Sequence, residues 1–287
     1  MNERAADSNT PHVAVAVDNR RPQEAPDRRR SHPRGGRRAG DRVPRPAPSV
    51  TDMSMQLATI SHELRTPLNA IKGWLEILQR HPDEATFKRV VGALQRSTDV
   101  QTRLIEDLMD LGRMTVGQMR LDLLPVPLRA LVLRVVEMLG PALDAKRLQI
   151  ECEIDDGVTV AGDALRLEQV LWNVLVNAVK FTPAGGGHIE VRANDTSDIV
   201  EVTVADSGVG IPADVLPTLF EPFRQGSNSP STRGSGLGIG LAITRHIVEM
   251  HSGTLTARNE PSGGSVFTIT LPRYVGFDSA ESQNIAS

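Results

Sequence analysis

The sequence predicts a multidomain chain: an all-α helical hairpin followed by an α+β two-layer sandwich, behind a tail without a core of its own. Three observations carry this expectation. Between residues 51 and 113 apolar residues recur at steps of three and four, the period of a helix face. Beyond residue 147, stretches that alternate apolar and polar are interleaved with helical ones, as in a sheet covered by helices. The first 50 residues hold 11 Arg and no Lys, 6 Asp and Glu, and few bulky apolar side chains.

Residues 1–50, rich in Arg, Pro and Gly, cannot bury enough apolar surface to offset the entropy of ordering, so a disordered tail is expected there. Its charge, 11 − 6 = +5, opposes the −8 (21 basic, 29 acidic) of the other 237 residues. Such a tail could serve nucleic acid or an acidic partner. A solvated leader is the simpler reading, and nucleic acid is not expected as a partner.

Residues 51–80 read as a helix. Leu57, Ile60, Leu64, Leu68, Ile71, Leu75 and Leu78 fall within about 40° of one line at about 100° per residue. "RHPD" breaks the pattern, and residues 84–113 form a second helix with Phe87, Val90, Val91, Leu94, Leu104, Ile105, Leu108 and Leu111. Two helices alone make a thin core, so residues 51–122 are expected to pair as a four-helix bundle in a homodimer. A hinge-like connector, "MTVGQMRLDLLPVPLRAL", leads to a second domain over 123–273. Its helices are expected at 128–145, 163–181 and 237–251. Its strands are "RLQIECEI", "HIEVRAN", "IVEVTVAD", "GTLTARN" and "GSVFTITLP", in a mixed, largely antiparallel sheet. Residues 274–287 read as a second tail.

A single cysteine, Cys152, excludes an intramolecular disulfide framework and a Cys-based zinc site. No apolar run approaches the roughly 18 residues of a membrane span, and the first twenty residues lack a signal-peptide pattern. The expectation is a soluble, cytoplasmic protein without a membrane span.

Polar residues on the helices carry the chemistry. On the first helix, with Leu64 at 0°, His62, Thr66 and Asn69 fall at about 160°, 200° and 140°, opposite the apolar seam. His62 therefore faces solvent, and Glu63 beside it can accept the imidazole proton and keep one ring nitrogen nucleophilic. Pro67 frees the Glu63 carbonyl and is expected to bend the helix there. On the helix at 163–181, Gln169, Asn173, Asn177 and Lys180 form a polar stripe. Asparagines are poor helix formers, so they imply another use: amide oxygen suits Mg²⁺ and lysine suits phosphate. "VADSGVGIP" ends a strand in Asp206, whose carboxylate can accept from an exocyclic amine, with Gly208 and Gly210 letting backbone approach a flat ligand. "GSGLGIGLAI" places Gly236, Gly238 and Gly240 at the start of a helix, where bare N–H groups suit phosphate. Between them "LFEPFRQGSNSPSTR" carries Phe220 and Phe223 as anchors and a Ser/Gly-rich run that reads as a lid.

With these residues in place, the chain resembles the catalytic core of a two-component sensor histidine kinase. "SHELRTPLNAI" resembles the phospho-acceptor H box, "NVLVNAVKFTP" the N box, "DSGVGIP" the G1 box, "LFEPFRQ" the F box and "GSGLGIGLAI" the G2 box. All five occur in family order, over roughly residues 54–272. The resemblance implies a Bergerat-type ATP-binding sandwich and an ATP- and Mg²⁺-dependent protein histidine kinase. It implies that His62 receives the γ-phosphoryl group, that Glu63 acts as the adjacent acid or base, and that Thr66 orients water if the protein is also a phosphatase. Asn177 would hold Mg²⁺ with help from Asn173, and Lys180 would meet the phosphates. Asp206, Gly208 and Gly210 would form the adenine pocket, Phe220 and Phe223 the F-box wall, and Gly236, Gly238 and Gly240 the phosphate-side hinge of the lid.

The related gyrase, chaperone and mismatch-repair ATPases carry a glutamate where this chain has Asn173. An amide is no base, so transfer to His62 is favoured over hydrolysis. The next acceptor is expected to be an aspartate on the receiver domain of a separate response regulator, since no receiver domain is expected after residue 273. No folded sensor is expected within residues 1–50, so the signal is expected from an unidentified upstream sensor or input protein, the tail or the dimer. The contrasting reading is a catalytically weak module that docks regulators.

Overall fold

The computed structural model describes residues 50–224 and 237–275. The expectations for the two tails, for the Ser/Gly-rich lid and for Gly236 lie outside these residues.

Two long helices come first: α1 (Val50–Leu78) and α2 (Glu84–Thr115). Between them His81 takes the left-handed conformation (φ 51). Asp83 then caps α2, accepting from the Thr86 N–H at 2.8 Å. The expected seam of α1 divides in two. Ile60, Leu64, Ile71 and Leu78 are half-buried with Pro67 buried among them, whereas Leu57, Leu68 and Leu75 are exposed. A helix in a hairpin covers only one flank of a wide apolar stripe. α2 is divided likewise: Val90, Ala93 and Leu104 are buried, Phe87, Ile105 and Met109 exposed. α1 is helical without interruption through Pro67, and the Thr66 hydroxyl donates to the His62 carbonyl at 3.1 Å.

The connector is more ordered than expected. β1 (Leu124–Pro127) pairs antiparallel with β3 (Thr159–Gly162), so a two-stranded ladder holds what the sequence marks as a hinge. α3 (Leu128–Lys146), α4 (Ala164–Phe181) and α5 (Gly240–Met250) form one layer. The other is a five-stranded sheet of β2 (Gln149–Glu153), β4 (His188–Asp195), β5 (Ile199–Asp206), β6 (Thr254–Asn259) and β7 (Ser265–Pro272). Its order is β2-β4-β5-β7-β6, with β2 and β4 parallel and the rest antiparallel. α5 begins three residues later than its apolar period suggests.

Alternation along the strands builds the core. Ile150 and Cys152, Ile189 and Val191, Val200, Val202 and Val204, and Ile269 and Leu271 are buried under the helices. They meet Val132 and Val135 of α3, Val170 and Val174 of α4, and Ile243 and Ile247 of α5. Each such side chain contributes about 1.5–3 kcal/mol by leaving water. Two polar contacts tie the helix layer together. Lys146 Nζ donates to the carbonyls of Val179, Lys180 and Thr182 at 2.7, 2.8 and 3.0 Å, satisfying the C-terminal end of α4. Buried His251 donates from Nδ1 to the Ile247 carbonyl at 2.8 Å and accepts at Nε2 from the Asp163 N–H at 2.9 Å, joining the end of α5 to the start of α4.

Candidate functional site

α4 presents its polar stripe along the edge of the helix layer, while β5 ends in Asp206 on the sheet below. Between them and the hairpin lies a cavity of about 980 Å³, ample for a nucleotide. Asn173, Asn177, Lys180, Asp206, Gly210, Gly238 and Gly240 line it, as expected, together with Glu63 from α1. Leu237, Leu241, Ile211 and Phe267 give it apolar walls.

Asp206 is almost fully buried. It accepts from the Ser265 hydroxyl at 2.5 Å and the Gly208 N–H at 2.8 Å. Two donors thus fix the carboxylate where it can accept from a flat base. Gly208 is needed for close approach, because a Cβ there would meet Asp206 Oδ1 at 2.5 Å and the Phe181 carbonyl at 2.7 Å. Asn173 turns its amide nitrogen to the Gly240 carbonyl (3.3 Å) and the Thr244 hydroxyl (3.1 Å), so it anchors the start of α5. Asn177 makes no side-chain hydrogen bond among the described residues, which leaves its amide oxygen available in the cavity. Burial holds the Lys180 ammonium below its ordinary pKa, and the Glu63 carboxylate draws it back up. Asn177, one amide oxygen beside the expected phosphates, fits Mg²⁺, which takes one or two protein oxygens and completes its shell from phosphate and water.

His62 stands outside the cavity, its side chain 79% exposed, with Nδ1 3.5 Å from Glu63 Oε1. Thr66 is exposed on the same helix face. Phe220 and Phe223 do not reach the cavity wall. Both pack on the core, where Phe220 lies under the Arg245 guanidinium at 5.8 Å and the Phe223 N–H donates to the Gly238 carbonyl at 3.0 Å. Gly208 lies behind the wall, and Gln169 leaves the stripe to bind Asp110 of α2 at 2.9 Å.

Two protein-family models match. Residues 52–117 match the His Kinase A (phospho-acceptor) domain, and residues 162–275 match the histidine kinase-, DNA gyrase B- and HSP90-like ATPase. The chain is a two-component histidine kinase catalytic core. It is 37% identical over 223 residues to the sensor histidine kinase RcsC of Escherichia coli K12, a match covering 77% of this chain and 23% of RcsC. The kinase core thus spans about a quarter of the length of the curated relatives it matches. Among solved structures, the Acinetobacter baumannii histidine kinase AdeS superposes with a TM-score of 0.57 at 28% identity, over 75% of this chain and 98% of AdeS. Full-length ShkA in complex with AMPPNP gives 0.57 at 31%, over 77% and 46%. No described helix is long and apolar enough to cross a membrane.

Ser265, Lys146, Trp172 and Arg103 of the kinase core escape sequence reasoning. Ser265 faces Asp206 only because β5 and β7 pair in that register. Trp172, next to Asn173, carries the Arg103 guanidinium 3.9 Å from its ring centroid. An indole flanking a polar stripe was the one available signal.

Proposed function

We propose that this kinase core transfers the γ-phosphoryl group of ATP to His62 and then to an aspartate on the receiver domain of a response regulator. One observation carries the reading: Glu63, the neighbour of the acceptor, lines the same cavity as Asn177, Lys180 and Asp206. The AMPPNP complex of the related ShkA supports ATP as the ligand.

In this reading Asp206 accepts from the adenine amine, and Lys180 and the N–H groups at Gly238 and Gly240 face the phosphates. Asn177 would hold Mg²⁺, which would supply positive charge to offset that of the transferring phosphoryl group. Glu63 accepts from His62 Nδ1, leaving the Nε2 lone pair to attack phosphorus. An N–P bond forms, the β,γ-bridging P–O bond breaks, ADP leaves, and the Nδ1 proton passes to Glu63. Regulator aspartate then takes the phosphoryl group. Thr66, on the exposed face of His62, would orient water if the protein also dephosphorylates its regulator. Leu57, Leu68, Leu75, Phe87 and Ile105, exposed on the hairpin, suit burial in a homodimeric four-helix bundle. Dependence on ATP fits a cytoplasmic location, with an upstream sensor or input protein supplying the signal.

Incubation with γ-labelled ATP and Mg²⁺ tests the reading. Acid-labile, alkali-stable label is expected, absent in His62→Gln and in Asn177→Ala. Tight ATP binding without label would instead favour a regulator-docking module, and normal labelling of Asn177→Ala would remove the Mg²⁺ assignment.

A further inference from the structure

The outer face of the sheet carries side chains that the nucleotide chemistry does not use. Alternation along β2 and β4 turns Ile150, Cys152, Ile189 and Val191 under the helices, so Glu151, His188 and Glu190 point the other way. His188 and Glu190 stand two apart on β4 and share that face. Glu151 lies directly opposite Glu190 in the parallel register of the two strands. One ligand atom from each of the three lies within 4.8 Å of the other two. None of the three lines the nucleotide cavity.

Charge makes this arrangement unfavourable without a cation. On strands about 4.8 Å apart, like charges directly opposite repel. Arg192 offsets part of the repulsion: its Nη2 pairs with Glu190 Oε1, and its Nε donates to Glu153 Oε2 at 2.8 Å. The Glu190 side chain is still only 15% exposed, low for a carboxylate. Glu151 makes no ion pair, and the His188 ring no hydrogen bond, among the described residues. With a neutral imidazole, Glu151, Glu153, Glu190 and Arg192 sum to −3 + 1 = −2, the charge that one divalent ion cancels.

The donor set selects the ion. Imidazole nitrogen suits Zn²⁺ and its transition-metal neighbours, whereas Mg²⁺ and Ca²⁺ take oxygen. One nitrogen and two carboxylate oxygens make a three-ligand zinc set with a fourth position for water. Ligands at about 2.0–2.2 Å from zinc lie roughly 3.3 Å apart in a tetrahedron, so small side-chain rotations close the trio. We propose that Glu151, His188 and Glu190 form a site for a divalent transition-metal ion of the Zn²⁺ class on the outer face of the sheet, clamping edge strand β2 to β4. The site is separate from the Mg²⁺ position at Asn177. The His188 main-chain N–H donates to the Ser207 hydroxyl at 2.8 Å, and Ser207 follows Asp206, so the ion would sit behind the strand end that carries Asp206.

The test titrates Zn²⁺ by calorimetry into the full chain, stripped of metal by a chelator and free of nucleotide. The parent is compared with Glu151→Gln, His188→Gln and Glu190→Gln. Because the chain has seven histidines, His81→Asn in the exposed turn after α1 serves as the control. One Zn²⁺ per chain is expected in the parent and in His81→Asn, and each member of the trio should weaken it at least about tenfold when replaced. Zn²⁺ should also raise the urea midpoint of the parent and of His81→Asn, and leave the three variants unmoved. If a variant does not fold, broadening of the amide signals of residues 150–152 and 188–191 in the parent by Cu²⁺ decides instead, and its absence there counts against the site. A parent that binds no Zn²⁺, a trio member whose replacement leaves affinity unchanged, or displacement of Zn²⁺ by equimolar Mg²⁺ overturns the proposal.

Discussion

Asp107 sits one turn before Asp110 on the cavity side of α2, and its replacement by Asn should stabilise the protein in a pH-dependent way. Burial pushes its carboxyl from an ordinary 3.8 up to about 6; the charges of Asp110 and Glu106 push the same way and Arg103 opposes them. That displacement corresponds to about 3 kcal/mol at about 1.36 kcal/mol per pH unit. Asp107 keeps part of its surface in water, so screening reduces the expected effect to about 1–2 kcal/mol. The sign follows from proton counting. Between about pH 4 and pH 6 the folded state holds the Asp107 proton more tightly than the unfolded chain, so the contribution is most favourable below pH 4 and is lost as pH rises through about 6. Asp107→Asn removes the loss. Urea unfolding should give it about 1–2 kcal/mol over wild type above pH 7, and about a third of that gain at pH 4.5. An equal gain at both pH values, or none at pH 8, would refute the assignment of the shift to desolvation and neighbouring acids.

Further outcomes follow from the helix layer and the cavity. Lys146→Met leaves three carbonyls at the end of α4 without their shared donor and should cost about 2–3 kcal/mol, read as a lower urea midpoint. Gly238→Ala places a Cβ 2.6 Å from the Arg224 carbonyl at a φ of +67, so ATP affinity should fall about tenfold by calorimetry without global unfolding. Cys152 is buried and its thiol is pushed up to about 11, chiefly by burial, so a thiol reagent at pH 8 should modify it only after denaturation. Stoichiometric labelling of the native protein would contradict that burial.

Some features were legible from side-chain period alone. A helix turns by about 100° per residue and a strand by about 180°, so the sequence determined that α1 turns His62 and Thr66 away from its apolar seam, and that the valines of β5 share one buried face. Glycine and carboxylate patterns likewise marked Asp206 and the start of α5, because few residue types serve a tight turn or a phosphate-facing loop.

Tertiary structure decided which partner meets each face. The stripe of Gln169, Asn173, Asn177 and Lys180 reads as one surface, yet packing divides it: Gln169 meets Asp110 across the domain junction, Asn173 holds α5, and Asn177 and Lys180 keep to the cavity. Similarly the seam of α1 is one arc on a wheel, but its own hairpin covers only part of it and leaves Leu57, Leu68 and Leu75 exposed. β1 and β3 escaped notice because each is four residues long, with Pro125 and Pro127 in β1 and a partner about 35 residues away. Local periodicity fixes the direction of a side chain from its own backbone. The burial of Asp110, the register that sets Ser265 against Asp206 and the placement of His62 outside the cavity depend on chain that arrives from dozens of residues away, and only the folded arrangement contains that information.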